Sequence, residues 1–573
     1  MSGMVRSTGM KQSFAAFLAL LFLASKCVLA AGPGPGADGS ACDSYTMELN
    51  LDPSKSELDG TVRLRYRNTT TNSLSSVRLR LDPNLSRKQS LEMVSVTDGN
   101  GKPLQWEYQP LKFANWNSEK GAVEIKLPQT LAPSGEITFS MNIHSTGNHL
   151  NPGMVALQDD PYQSLDAWYP KAMTPRADGW SFDDDRLADY SVSIRLPAAC
   201  TVVSTGRQMT NALKGETREL HLQSEQTRGF TIYASSEWRR HERKAGRVEL
   251  AVCLPAEAES WAERFLDATA DSIDFYEKEY GPFPCGHLDI ACPGTLKDRA
   301  HGSSAACNVI TIFLGEKLEE QHRFLIAHEV AHQYFGVRVG SPRETLGWVT
   351  VGLGLTMDEH YTRARNLDAT YGRKIMRNFY FRAEKMGFDT TLSQPVEVPM
   401  KSPPPWSSGW NMSLTHGKAY AVCVMLRDLV GYAGFQEVTR KLLAAHDGKL
   451  IRQEDLIGAC EDALGESLDW FTADWIQGRA TFDYAITEAR KSDDGWDLEV
   501  RRVGTGHYPV QVELVTDSGE RLRQRMDRTK PTATLHFKTS GSLKAAGINQ
   551  DGFYPDLDGN NDKWPRKAGK GAK

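Results

Sequence analysis

Residues 324–336 read Phe324-Leu325-Ile326-Ala327-His328-Glu329-Val330-Ala331-His332-Gln333-Tyr334-Phe335-Gly336. Apolar residues fall nearly all round this stretch, which predicts a core helix over residues 319–336 stopped by Gly336. Residues four apart share a helix face, so His328 and His332 can aim both imidazoles at one ion, with zinc the natural choice. Glu329 falls beside them, where its carboxylate can take a proton from water as a general base. Two histidines and a glutamate are costly in an apolar helix unless something satisfies them, and a metal ion would. The pentapeptide therefore points to zinc peptidase chemistry.

Outward from this helix the hydrophobic period changes twice. Before it, Tyr45, Met47, Leu49 and Leu51 alternate with polar residues. So do Val62-Leu64-Tyr66, Val77-Leu79-Leu81, Val123-Ile125-Leu127, Ile137-Phe139-Met141 and Tyr190-Val192-Ile194-Leu196. Alternation of this kind predicts an antiparallel β domain over residues 45–250. From residue 251 helical spacing takes over, with strands at His287–Ala291 and Val309–Phe313. Helices are expected near 261–280, 350–364, 368–387, 417–431, 433–446, 452–464 and 467–478, closing a mainly helical domain at 482. Alternation returns from Trp496, predicting a small β-sandwich over 483–560 followed by a basic tail over 561–573. A chain of 573 residues is too long for one core, so three domains suit its length. The fold class is multidomain α+β.

A formal charge of -5 over this length gives no reason to expect nucleic-acid binding. Arg6 and Lys11, the apolar run Phe14 to Ala24 and the small residues around Ala30 read as an export signal over residues 1–30. Residues 31–44 read as a flexible leader. The expectation is a product released to the periplasm or secreted, with no integral membrane segment once the signal is removed. Eight cysteines then remain, and Cys285 with Cys292, bracketing one short strand, is a candidate disulfide.

The run His328 to Gly336 resembles the zinc helix of gluzincin aminopeptidases of the alanyl aminopeptidase type. The likeness extends to Trp168-Tyr169-Pro170, Ala188-Asp189-Tyr190 and Thr201-Val202-Val203-Ser204-Thr205-Gly206, which are similar to part of that family's N-terminal saddle domain. Leu468-Asp469-Trp470-Phe471 with Trp475, and the stretch from Asn549 to Asp558, resemble the later parts of the family chain. The resemblance implies an N-terminal β saddle, a thermolysin-like mainly helical catalytic domain and a small C-terminal β-sandwich. It implies zinc held by His328 and His332, Glu329 as catalytic base, and a peptide or protein substrate.

Three positions depart from the pattern. Val351 stands where the family carries a third, glutamate ligand on the next helix. Ser304, within Gly302-Ser303-Ser304-Ala305-Ala306-Cys307, stands at the glutamate that grips the substrate's free amino group. His416 stands at the tyrosine that supports the tetrahedral intermediate, and a protonated imidazole there could donate the equivalent hydrogen bond. Tyr420, two residues after Lys418, is the nearest tyrosine on the other side. Glu344, Asp358 and His301 are weak candidates for a replacement ligand. Two expectations follow: a working aminopeptidase-like hydrolase with a weakened zinc site, or a catalytically inactive peptide-binding or scaffolding protein on the same fold.

Overall fold

The structure is a computed structural model. It describes residues 42–565 apart from 56, 86–89, 114–115, 147–153, 158–166, 178, 294–301, 315–317, 343–346, 369, 382–390, 394–412 and 550–553. The export signal, most of the leader and the last residues of the tail lie outside the described residues.

Alternating apolar residues fold the first part of the chain into two facing sheets. Seven strands lie in the spatial order Arg207–Lys214, Thr217–Thr227, Ala188–Pro197, Asp43–Asp52, Glu57–Arg67, Glu136–Thr146 and Ser90–Asp98. Four more, Trp106–Phe113, Trp116–Leu131, Leu74–Arg80 and Lys171–Ala172, form the second sheet. Met47, Val62, Leu64, Val77, Leu79, Ile125, Phe139 and Val192 meet in the core between them. Pairing in these two sheets is antiparallel except between Asp43–Asp52 and Ala188–Pro197, which run parallel with Tyr45 opposite Tyr190. The long connection between those strands permits a parallel return that a hairpin could not make. The first strand begins at Asp43, inside the expected leader, because the buried Asp43 carboxylate accepts two hydrogen bonds from Arg186.

A five-stranded sheet follows, in the order Trp238–Ala245, Val248–Pro255, His287–Ala291, Val309–Phe313 and Gly302–Ala306, the last being an edge. Against it pack the helices α1 (Ala262–Tyr280) and α2 (Leu318–Tyr334), and α3 (Trp348–Ala364) packs on α2. Next come α4 (Tyr371–Ile375), which continues as a π-turn over Met376–Tyr380, and a second π-turn, Ser413–Lys418, which leads into α5 (Ala419–Val430). Helices α6 (Tyr432–Ala445) and α7 (Gln453–Leu464) follow. No helix among the described residues is long and apolar enough to cross a membrane.

The last part of the chain forms two small sheets. One is Tyr484–Ser492, Gly495–Arg502 and Thr532–Lys538; the other is Arg521–Arg525, Gln511–Thr516, Leu543–Gly547 and Lys563–Trp564. Lys563 and Trp564, expected in a solvated tail, instead pair with Gly547 and Ala546. The partly buried Trp564 ring packs against the core, which holds the strand in place.

Cysteine pairing between Cys285 and Cys292 is overturned. Both thiols are free and buried. The strand His287–Ala291 lies between them, and its five residues at about 3.3 Å each separate the two sulfurs far beyond disulfide reach.

Candidate active site

The sequence places His328 and His332 one turn apart on α2, and both rings turn the same way, with Nε2 atoms 3.1 Å apart. The opposite nitrogen of each ring is held. His328 Nδ1 lies 2.5 Å from Oδ2 of Asp358, and His332 Nδ1 lies 3.1 Å from the Phe335 carbonyl oxygen. A carbonyl oxygen only accepts, so His332 carries its proton on Nδ1, and a neutral His328 does the same toward the Asp358 carboxylate. With both rings neutral, their Nε2 lone pairs face a shared space. Two ligands of a tetrahedral zinc with bonds of about 2.1 Å stand roughly 3.4 Å apart, so this pair suits such an ion.

Helix α3 supplies the back of the site. Asp358 is almost fully buried. Its Oδ1 accepts a hydrogen bond from the Tyr276 hydroxyl and its Oδ2 one from the Tyr371 hydroxyl, each at 3.3 Å. Four residues earlier, Gly354 faces His332 so closely that an added Cβ would lie 3.8 Å from the ring. Three residues earlier again is Val351, on the same side of the helix and buried in an apolar cluster with Leu355, Tyr371, Tyr380 and Tyr420. Glu329 is buried, and its carboxylate accepts a hydrogen bond from the side chain of Ser303 on the edge strand Gly302–Ala306.

Charge follows this geometry. Burial raises the affinity of Glu329 for its proton, offset in part by His328 and Ser303. Burial opposes a charged His328, but the Asp358 carboxylate outweighs it and holds the ring up to about 9. His332 is driven well below the ordinary histidine range by burial and by its neighbour His328, so the pair carries one positive charge rather than two.

His416 stands on the π-turn Ser413–Lys418, its ring centroid 6.1 Å from that of His328 and 5.7 Å from that of Phe379. Burial, then the proximity of His328, pushes it down to about 3. The expected protonated imidazole is therefore corrected to a neutral one. Its Nδ1 lies 2.9 Å from the Thr415 hydroxyl, and if that hydroxyl donates, Nε2–H is left as a donor. Tyr420 is not in the site: its hydroxyl donates to the buried Glu359 at 2.7 Å.

The structure thus gathers His328, Glu329, His332 and His416. It places Ser303, the neighbour of the predicted Ser304, against the glutamate. Asp358 proves to be the partner of His328 Nδ1, a role the sequence reading did not assign it. Glu344 and His301 lie outside the described residues. Among the described residues no three His, Cys, Asp or Glu side chains converge as a metal cluster. Tyr276 and Tyr371 were not anticipated. Their only sequence signal is a tyrosine on a helix flank, which is indistinguishable from core packing.

Residues 266–475 match the peptidase family M1 domain. That match contains α2, α3 and the side chains of the site, from Tyr276 to His416. Tricorn protease-interacting factor F2 of Thermoplasma acidophilum is 24% identical over 309 residues, covering 50% of this chain and 37% of that protein. Aminopeptidase M1 of Arabidopsis thaliana is 25% identical over 287 residues, covering 47% of this chain and 31% of that one. The matched stretch therefore spans about a third of the length of these curated relatives. An M1 zinc metallopeptidase from Deinococcus radiodurans shares the fold, with a TM-score of 0.55 and 16% identity over 76% of this chain and 95% of that one. The multidomain arrangement of β domain, helical domain and C-terminal sheets matches that structure.

Proposed function

We propose that the chain is an exported M1-type metallopeptidase with a reduced ligand set, in which His328 and His332 hold zinc. The reading rests on one observation: two histidine Nε2 atoms stand 3.1 Å apart beside a buried glutamate, with Nδ1 of each ring held from behind. Zinc bound there would supply Lewis acidity to a substrate carbonyl. Glu329, whose proton affinity is raised by burial, accepts as carboxylate the proton of the attacking water and delivers it to the leaving amine. Ser303 fixes the glutamate's rotamer, and Asp358 fixes the tautomer of His328. His416 Nε2–H is the donor available for the developing oxyanion. Gly302–Ala306, an edge strand among the described residues, offers its main chain to an extended peptide, apart from the Ala306 carbonyl that accepts from Gln333. It carries no carboxylate to grip a free amino terminus, so peptides with blocked amino ends are accepted as readily as free ones.

A second reading, a peptide-binding protein without turnover, is favoured by Val351: the position of the third ligand is filled by an apolar side chain within an apolar cluster. Zinc content of the purified protein, and turnover of free and N-acetylated peptides by wild type and Glu329→Gln, separate the two. Stoichiometric zinc and turnover lost in Glu329→Gln support the peptidase. Absence of zinc, or equal turnover in both proteins, leaves the binding protein.

A further inference from the structure

A cavity of about 600 Å³ lies between the helical segment that begins at α4 and the C-terminal sheets. Its two walls carry opposite charge. Arg373, Lys374 and Arg377 line the helical wall, while Asp556 and Asp562 line the other. Lys374 is paired with Asp368 at 2.6 Å, whereas Arg377 Nε donates to the neutral Asn378 side chain at 3.4 Å. The acidic wall is the more unusual. Asp556 is 4% exposed and Asp562 1% exposed, yet Asp562 Oδ1 has no hydrogen-bond partner. The Lys563 ammonium stands 3.8 Å away, beyond hydrogen-bond reach, on a side chain that is 57% exposed. Asp556 accepts two main-chain hydrogen bonds, from Tyr484 and Asp558.

A buried carboxylate oxygen with no donor is costly, and a ligand that brings several N–H donors and a positive charge relieves that cost. A free guanidinium on the facing wall calls for an anion, with a fork suited to a carboxylate. One small molecule with both ends satisfies both walls. We propose that this cavity binds a zwitterion with a free ammonium and a free carboxylate, an amino acid or short peptide. Its ammonium meets Asp562 and Asp556, and its carboxylate meets Arg377. An extended tripeptide spans at most roughly 10 Å, about the width of a cavity of this size. Burial and neighbouring negative charges also raise the proton affinity of both aspartates, although the Lys563 ammonium acts against this at Asp562.

The site is separate from the histidine pair, and binding here does not depend on whether zinc is held there. Calorimetric titration of the full-length Glu329→Gln protein, which removes turnover under the peptidase reading, tests it with Ala-Ala, N-acetyl-Ala-Ala and Ala-Ala amide. Ala-Ala should bind, and each blocked form at least about tenfold more weakly. Arg377→Ala, a change at an exposed position that leaves folding intact, should remove the preference for acid over amide. Asp562→Asn should remove the preference for the free over the acetylated amine. The proposal is overturned if Ala-Ala does not bind, if the blocked peptides bind equally well, or if Arg377→Ala binds like its parent. Saturable calcium binding lost in Asp562→Asn, with no dipeptide binding, would overturn it in favour of a cation site.

Discussion

At Val351 a single substitution tests whether the helix pair still stands where a third ligand could act. Val351→Glu buries a carboxylate in an apolar cluster, which costs about 3–5 kcal/mol while the charge is unpaired. A metal on the neighbouring histidines would supply the missing partner. The variant should therefore melt lower than wild type in chelator but gain more from added zinc, a difference read by thermal denaturation with and without the ion. An equal zinc response in both proteins would show that position 351 does not reach the metal. Asp358→Asn acts from the other side. It keeps the shape but weakens the acceptor on His328 Nδ1, and zinc affinity measured by competition with a chromophoric chelator should fall about 10- to 100-fold. His328, Glu329 and His332 were legible because helical spacing alone brings them together. Asp358 was not, since its role depends on how α2 and α3 cross.

Two glycines in α3 give an element-scale contrast. An added Cβ at Gly352 would lie 2.7 Å from Cys423 Sγ and 2.9 Å from the Ala419 carbonyl oxygen, both on α5. Gly352→Ala should push α3 from α5 and cost about 1–3 kcal/mol in chemical denaturation. At Gly354 the same methyl group meets only the His332 ring at 3.8 and 3.9 Å, an ordinary contact. Gly354→Ala should be neutral or stabilise by about 0.5–1 kcal/mol, because alanine loses less backbone entropy in a helix. Equal effects at the two positions would refute this account of the packing. The helix spans themselves were readable, from Ala262–Tyr280 to Gln453–Leu464, since each has a periodic apolar face. The π-turns at Met376–Tyr380 and Ser413–Lys418 were not. Sequence periodicity does not distinguish a widened turn from an α-turn, yet the second of them sets where His416 points.

Across the whole molecule, one buried arginine ties the N-terminal β region to the helical region. Arg228 donates to the carbonyl oxygens of Asp184, Val337, Arg338 and Lys449. Arg228→Met leaves those acceptors without a donor and should cost roughly 3–5 kcal/mol, seen by calorimetry as a lower or split transition. In the C-terminal sheets, burial and the charges of Asp483 and Asp562 push Asp556 up to about 7. An unfolded aspartate titrates near 4, so between about pH 4 and pH 7 the folded state binds the extra proton. Stability contributed by that proton is present at low pH and lost as pH rises through 7. Asp556→Asn should flatten this decline, and the gap between variant and wild type should change by about 2–4 kcal/mol across that range, whatever its constant offset. Parallel slopes for the two proteins would remove Asp556 as the cause.

The sequence by itself determined the order of β, helical and β regions and the placing of His328, Glu329 and His332 together on one helix. Those features are local: period two, period 3.6 and the spacing of ligands along one helix need no knowledge of distant neighbours. Only the tertiary structure decided that Asp358 backs His328, that Ser303 rather than Ser304 meets Glu329, and that burial leaves His416 neutral. It also decided that Lys563 and Trp564 close a sheet. Each of these depends on which side chains from remote parts of the chain share a desolvated space. The proton affinity of a buried group and the partner of a buried carboxylate are set by that space, not by adjacent residues.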